Sequence, residues 1–209
     1  ITGTDTDVGK TYIASALVRY FVQQGQTAVG MKPIAAGCEK INGALRNADV
    51  SALLAASNLA ARLEDVNPYA FEPAIAPHIA AEQAGVTVSL SKIKHAFDAL
   101  QSQADAVIVE GAGGFRVPIN REQTMADLAV QLNLPVIMVV GVRLGCINHA
   151  LMTAGSIKAA GLDLVGWVAN RIEPDMPALE ENVQTLKAMI KAPCIADVNW
   201  GAVPKFSGI

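Results

Sequence analysis

The chain has 209 residues, 52% of them hydrophobic and 17% charged, with a formal net charge of −3. That length suits one α/β domain spanning 1–209 and is short for two, and the slight acidity without any basic run argues against nucleic acid as a main partner. Apolar runs such as 134–142 fall far short of the roughly 20 residues of a membrane-spanning helix, and three scattered cysteines suit reduced thiols in the cytoplasm better than a disulfide framework.

The opening residues do not read as a signal peptide. Only Ile1 and Thr2 precede the first glycine, so a first strand is expected to be clipped in this sequence. Residues 11–24 read as a largely buried helix stopped by Gly25, and 27–32 as a strand ended by Pro33. An Ala/Leu-rich helix is expected over 49–61, then an irregular proline-rich stretch over 66–78. Ile93, Ala96, Phe97 and Leu100 mark the apolar stripe of another helix. The β-branched runs at 105–110, 135–140 and 163–170 have the continuous apolar character of buried parallel strands. Helices near 125–132, 147–160 and 178–190 separate or follow them, and a weaker strand at 194–198 closes the series. This alternation predicts an α/β fold: a doubly wound, mostly parallel sheet with helices on both faces.

Ligands of such sheets lie at the carboxyl ends of the strands. The first candidate is "GTDTDVGKT", Gly3 to Thr11. Its ending fits the phosphate-binding pattern G-x-x-x-x-G-K-[ST], although five residues rather than four separate Gly3 from Gly9. Gly9 leaves room for close backbone approach, Lys10 would bridge phosphates, and the Thr11 hydroxyl would ligate Mg²⁺. Glu110 ends an apolar strand, where a carboxylate often completes the shell of a nucleotide-bound Mg²⁺; the alternative is a solvated strand end. Asp49 divides between metal ligand and helix N-cap. Lys32 is either an exposed lysine or a second cation facing a phosphoryl group. The "GAGG" run, Gly111 to Gly114, offers unhindered amides near the same edge. Further on, Gly145 to Asn148 open a helix whose first amides suit a carboxylate or phosphate, while Cys146 is a packing residue before it is a nucleophile.

The stretches "TGTDTDVGKT", "MKPIAAGCEK", "LRNADVSAL", "NPYAFEPAIAPHIAAE", "VEGAGGF", "LPVIMVVGVRLGCINHA" and "GWVAN" resemble, in order, the dethiobiotin synthetase family of biotin biosynthesis, over about residues 1–170. That family carries the longer loop as its own version of the cradle in a P-loop NTPase-like fold. The resemblance implies an ATP- and Mg²⁺-dependent cyclo-ligase acting on 7,8-diaminopelargonate and CO₂ through a carbamate and a carbamic–phosphoric anhydride. It assigns Lys10 and Lys32 to the phosphoryl and carbamate oxygens. Thr11, Asp49 and Glu110 go to Mg²⁺, and Thr6 and Gly113 to the carbamate. Asp7, Val8 and Gly9 join Lys10 and Thr11 around the nucleotide, with Asn170 reading the adenine. It further implies a homodimer in which Gly145, Cys146, Ile147 and Asn148 of one subunit hold the substrate carboxylate of the other. The competing expectation is a nucleotide-switch ATPase of the partition or division-site type. Such proteins show an early lysine in a "KGG" loop, where Gly3 and Thr4 stand here.

Overall fold

The computed structural model describes residues 1–208. In chain order the elements are β1 (Thr2–Gly3), α1 (Lys10–Gln23), β2 (Ala28–Met31), β3 (Ile34–Ala35), β4 (Glu39–Ile41), β5 (Ala44–Arg46), α2 (Ala48–Ala56), α3 (Leu63–Val66), β6 (Tyr69–Ala70), α4 (Pro77–Gln83), α5 (Leu90–Gln101), β7 (Ala106–Val109), α6 (Met125–Leu132), β8 (Val136–Gly141), α7 (Cys146–Ala159), β9 (Leu164–Asn170), α8 (Leu179–Met189) and β10 (Cys194–Val198).

Strands β1, β8, β9 and β10 form one parallel sheet in that order, and β2 pairs in parallel with β7. The two sheets meet at Ile1, whose carbonyl accepts a 2.9 Å hydrogen bond from the Gly111 amide just beyond β7. Followed across that contact, the strand order is β2-β7-β1-β8-β9-β10.

Alternate residues of each strand point to opposite faces, and both faces are covered. Val29 and Met31 pack with Ile93, Phe97 and Leu100 of α5, whereas Ala28 meets Val18 of α1 and Ala56 of α2. In the other half, Met138 and Val140 join Trp167 with Ile157 of α7 and Val183 and Leu186 of α8. Val139 and Val168 turn the other way, toward Ile13 of α1. The doubly wound arrangement read from the sequence is therefore the observed one.

Two local readings differ. The helix expected over 49–61 ends at Ala56, because Asn58 folds back on β2: its Oδ1 accepts from Ala28 N at 2.8 Å and its Nδ2 donates to Gln26 O at 2.9 Å. The hairpin β4–β5 was not expected. Its turn is Asn42-Gly43, both at positive φ (51° and 81°), as a two-residue type I′ turn requires. Among the described residues no helix is long and apolar enough to cross a membrane.

Two glycines precede helices in the left-handed region, Gly9 at φ 89° and Gly145 at φ 93°, yet their surroundings differ. A Cβ at Gly9 would lie 2.2 Å from Asn170 Nδ2, while one at Gly145 would meet nothing within 4 Å. Gly145→Ala should thus cost only the left-handed penalty of about 1–2 kcal/mol. Gly9→Ala should cost clearly more, because Asn170 must also move. Equal losses in denaturant unfolding would contradict that difference.

Candidate active site

The register of one strand pair creates the centre of the site. β2 and β7 run parallel with Met31 opposite Val109, so the residues that follow, Lys32 and Glu110, leave the sheet side by side. Lys32 Nζ donates to Glu110 Oε1 at 2.7 Å and to Asp49 Oδ2 at 2.5 Å. Thr11 Oγ1 donates to the same Glu110 oxygen at 2.7 Å. Glu110 is only 1% exposed and Lys32 6%, so Glu110 is not a solvated strand end and Lys32 is not an exposed lysine.

Asp49 is not the cap of its helix. Asn47 is: its Oδ1 accepts from the amides of Asp49 and Val50, and its Nδ2 donates to Ala36 O at 3.2 Å. The Asp49 carboxylate is thereby free to turn to Lys32. Burial works against the Lys32 ammonium, but Glu110 and Asp49 outweigh it and hold its pKa above the ordinary lysine value. Burial likewise opposes ionisation of Asp49, but Lys32, by charge and hydrogen bond, keeps its pKa below the usual aspartate value.

The loop between β1 and α1 supplies the second cation. Lys10 is 7% exposed, and its ammonium donates to the Asp5 carbonyl at 2.7 Å. Burial first, then the charge of Lys32, lowers its pKa. Gly9 caps α1 without any side-chain hydrogen bond, so the opening amides of the helix remain available to an anion. Val8 is buried by its side chain and can offer a ligand only backbone. Asp7, at φ 57°, is exposed at the loop's crest. Thr6 faces Gly113, where an added Cβ would lie 3.7 Å from Thr6 Oγ1. Asn170, at the end of β9, donates its Nδ2 to Val8 O at 2.9 Å and so also braces the loop from behind.

Thr11, Asp49 and Glu110 form a donor set that suits Mg²⁺. Magnesium takes one or two carboxylates and completes its octahedron with water and phosphate oxygens. Glu110 Oε2 is buried without a hydrogen-bond partner, an orphaned acceptor that a cation would satisfy. No group of three or more His, Cys, Asp or Glu residues able to hold a metal occurs among the described residues.

Gly145 to Asn148 stand apart from this cluster. They open α7 after β8, with the Cys146 amide already donating to Arg143 O at 3.0 Å. Cys146 is 2% exposed and packs with Ile157 and Trp167, in line with its reading as a packing residue. The link between the two regions is one the sequence reading passed over: Arg143 Nη2 donates to Asp5 Oδ2 at 2.5 Å. Both residues lay inside quoted motifs. Nothing in their spacing, 138 positions apart, revealed that they meet.

The chain matches the model of an AAA domain family over residues 1–203. It is 49% identical over 208 residues to an ATP-dependent dethiobiotin synthetase BioD of Aromatoleum aromaticum, covering 100% of this chain and 90% of that protein. The proteins of the same name from Cellvibrio japonicus and Nitrosospira multiformis are 51% and 52% identical, over 99% and 93% of this chain and 89% and 84% of theirs. Among solved structures, the MinD cell division protein of Aquifex aeolicus superposes with a TM-score of 0.55 at 16% identity, over 94% of this chain and 79% of that one. Cell division protein FtsY of Thermotoga maritima gives 0.54 at 16% identity, over 99% of this chain, which spans 63% of its length. At that identity the likeness is one of fold.

The buried bracket around Lys32 has thermodynamic consequences. Lys32→Met strands Glu110 without its cation and should cost about 3–5 kcal/mol of stability; adding Glu110→Gln should restore part of it. Asp49, with a pKa below the usual 3.8, stabilises the fold fully above that value and loses the contribution as pH falls through its lowered one. Lys32 contributes fully below 10.5 and loses its contribution as pH rises through its raised value. Denaturant melts of Asp49→Asn between pH 2 and about 5 should therefore show a flatter acid limb than wild type. An unchanged limb would remove the Lys32–Asp49 pair from the stability account.

Proposed function

Because the chain belongs to the ATP-dependent dethiobiotin synthetase family, we propose that it is the ligase that closes the ureido ring of dethiobiotin from 7,8-diaminopelargonate and CO₂. The whole of 1–209 serves as one P-loop domain. The observation that carries this reading is the gathering of two buried lysines, Lys10 and Lys32, with the carboxylates of Asp49 and Glu110 and the Thr11 hydroxyl. Such a site suits a reaction between bound substrates that needs charge neutralised and atoms held close, more than it needs covalent help from the protein.

One substrate amine adds to CO₂ and loses a proton, giving a carbamate. A carbamate oxygen then bonds to the γ-phosphorus of ATP, and the bond to the β-phosphate oxygen breaks with release of ADP. The second amine attacks the carbamoyl carbon, closes the five-membered ring, loses a proton and expels phosphate. Lys10 neutralises the phosphoryl oxygens, and Lys32, held by Glu110 and Asp49, faces the carbamate and the transferring group. Thr6 and Gly113 position the carbamate. Asp7, Val8 and Gly9 border the triphosphate, with Asn170 toward the base. Thr11, Asp49 and Glu110 would hold Mg²⁺, which would supply charge neutralisation on the phosphates.

A homodimer completes the site, with the helix-start amides of Gly145–Asn148 taking the carboxylate of the substrate bound to the partner. Two observations support it. Leu144, just before α7, is 87% exposed, and Met152 within the helix is 66% exposed. The amides of Ile147 and Asn148 also have no backbone acceptor among the described residues. The three cysteines are free, consistent with a reducing cytoplasm.

Purified protein with ATP, Mg²⁺ and bicarbonate should release phosphate only when the diamine is present, together with a product of the mass of the cyclic urea. Lys10→Ala and Lys32→Ala should each lose on the order of 2.7–4 kcal/mol of transition-state stabilisation, the scale of a single oxyanion donor. Glu110→Gln should require far more Mg²⁺. Phosphate release indifferent to the diamine would replace the ligase by a nucleotide switch.

A further inference from the structure

Asp5 and Arg143 have no role in the reaction as written, yet both lie against the phosphate loop. The Lys10 ammonium is nearly buried, and its one hydrogen bond among the described residues goes to the main-chain carbonyl of Asp5. The position of that single peptide therefore decides where the ammonium sits. The Asp5 peptide is fixed in turn by its own carboxylate. Oδ1 accepts from the Thr6 amide at 2.7 Å, and Oδ2 accepts from Arg143 Nη2 at 2.5 Å. The first contact is internal to the loop; the second comes from the turn after β8.

The turn that carries Arg143 is held by main-chain bonds. Val142 N donates to Asn170 O at 2.7 Å, and Arg143 O accepts from Cys146 N at 3.0 Å. The front of the loop is thus tied to the end of β8 through Arg143, just as its back is tied to the end of β9 through Asn170 and Val8 O. We propose that Arg143 and Asp5 are a positioning pair: the guanidinium sets the Asp5 peptide, and through its carbonyl the reach of Lys10 toward the triphosphate. This deepens the nucleotide half of the proposed function and rests on it, because it assigns Lys10 to phosphate.

The pair is partly exposed, with side-chain exposures of 36% and 43%. Exposed ion pairs contribute little to stability. Its removal should accordingly leave the thermal midpoint nearly unchanged while altering ligand binding, which separates positioning from a merely structural role.

The test is calorimetric titration of the full chain with MgATP in the absence of the diamine, as a double-mutant cycle. Arg143→Ala should weaken binding about tenfold, a loss of ~1.4 kcal/mol. Arg143→Lys, which keeps a donor and the charge, should stay within about threefold of wild type. Asp5→Ala should weaken binding at least as much, and adding Arg143→Ala to it should change the affinity by less than about twofold, since the arginine acts through Asp5. Arg143→Gln serves as the second variant if the alanine folds poorly. Unchanged affinity in Arg143→Ala and Arg143→Gln would overturn the proposal. So would an undiminished effect of Arg143→Ala in the Asp5→Ala background, which would mean that the guanidinium meets the ligand directly. Wild type that binds MgATP but forms no diamine-dependent product would sink the ligase reading while leaving this cycle interpretable.

Discussion

A lysine ammonium buried between two carboxylates is the constraint on which the rest of this structure depends. Lys32 is 6% exposed and hydrogen-bonded to both Asp49 and Glu110. Neither partner could be lost without leaving a charge poorly compensated in a region of low polarity. Lys10 brings a second cation to the same region and Thr11 a hydroxyl. The result is a cluster whose charges nearly cancel but whose members remain individually strong: two cations ready for anionic oxygens, and carboxylates ready for a divalent cation.

Almost every element near the cluster can be understood as holding it in place. The parallel register of β2 and β7 sets Lys32 beside Glu110. Asn47 caps α2 and thereby frees the Asp49 carboxylate to face inward. The loop after β1 carries Lys10 and Thr11 onto the opening of α1, and its own conformation is secured by side chains at the ends of two other strands, Arg143 and Asn170. Rigid strands with irregular connections at their carboxyl ends are how such sheets gather distant residues into one site. Here residues 11, 32, 49 and 110 are joined in one chain of hydrogen bonds.

The sequence made much of this legible, for identifiable reasons. Continuous β-branched runs such as 135–140 and 163–170 have little alternative to a buried strand, and their helices follow as crossovers. Lys32 and Glu110 were visible as polar residues ending apolar runs. What stayed hidden depended on side chains finding partners far along the chain. Asn58 ends α2 by bonding β2, which no helix propensity reveals. The Asp5–Arg143 contact spans 138 positions. Asn47, rather than Asp49, proved to be the cap, a choice that rests on which side chain has a better partner elsewhere. The Asn42-Gly43 turn is different: the dipeptide is a strong hairpin signal, but its flanking strands are too short and exposed to carry an apolar alternation.

In the proposed reaction a carbamate is activated at this cluster by transfer of the ATP γ-phosphoryl group to its oxygen. The most direct measurement supplies ¹⁸O-labelled bicarbonate with ATP and the diamine in a short, near-single-turnover reaction and weighs the phosphate released. If a carbamate oxygen attacks the γ-phosphorus, that oxygen leaves with the phosphate when the ring closes, and the phosphate carries one label. Unlabelled phosphate formed alongside dethiobiotin would mean that the oxygen came from elsewhere, and the anhydride route would be wrong.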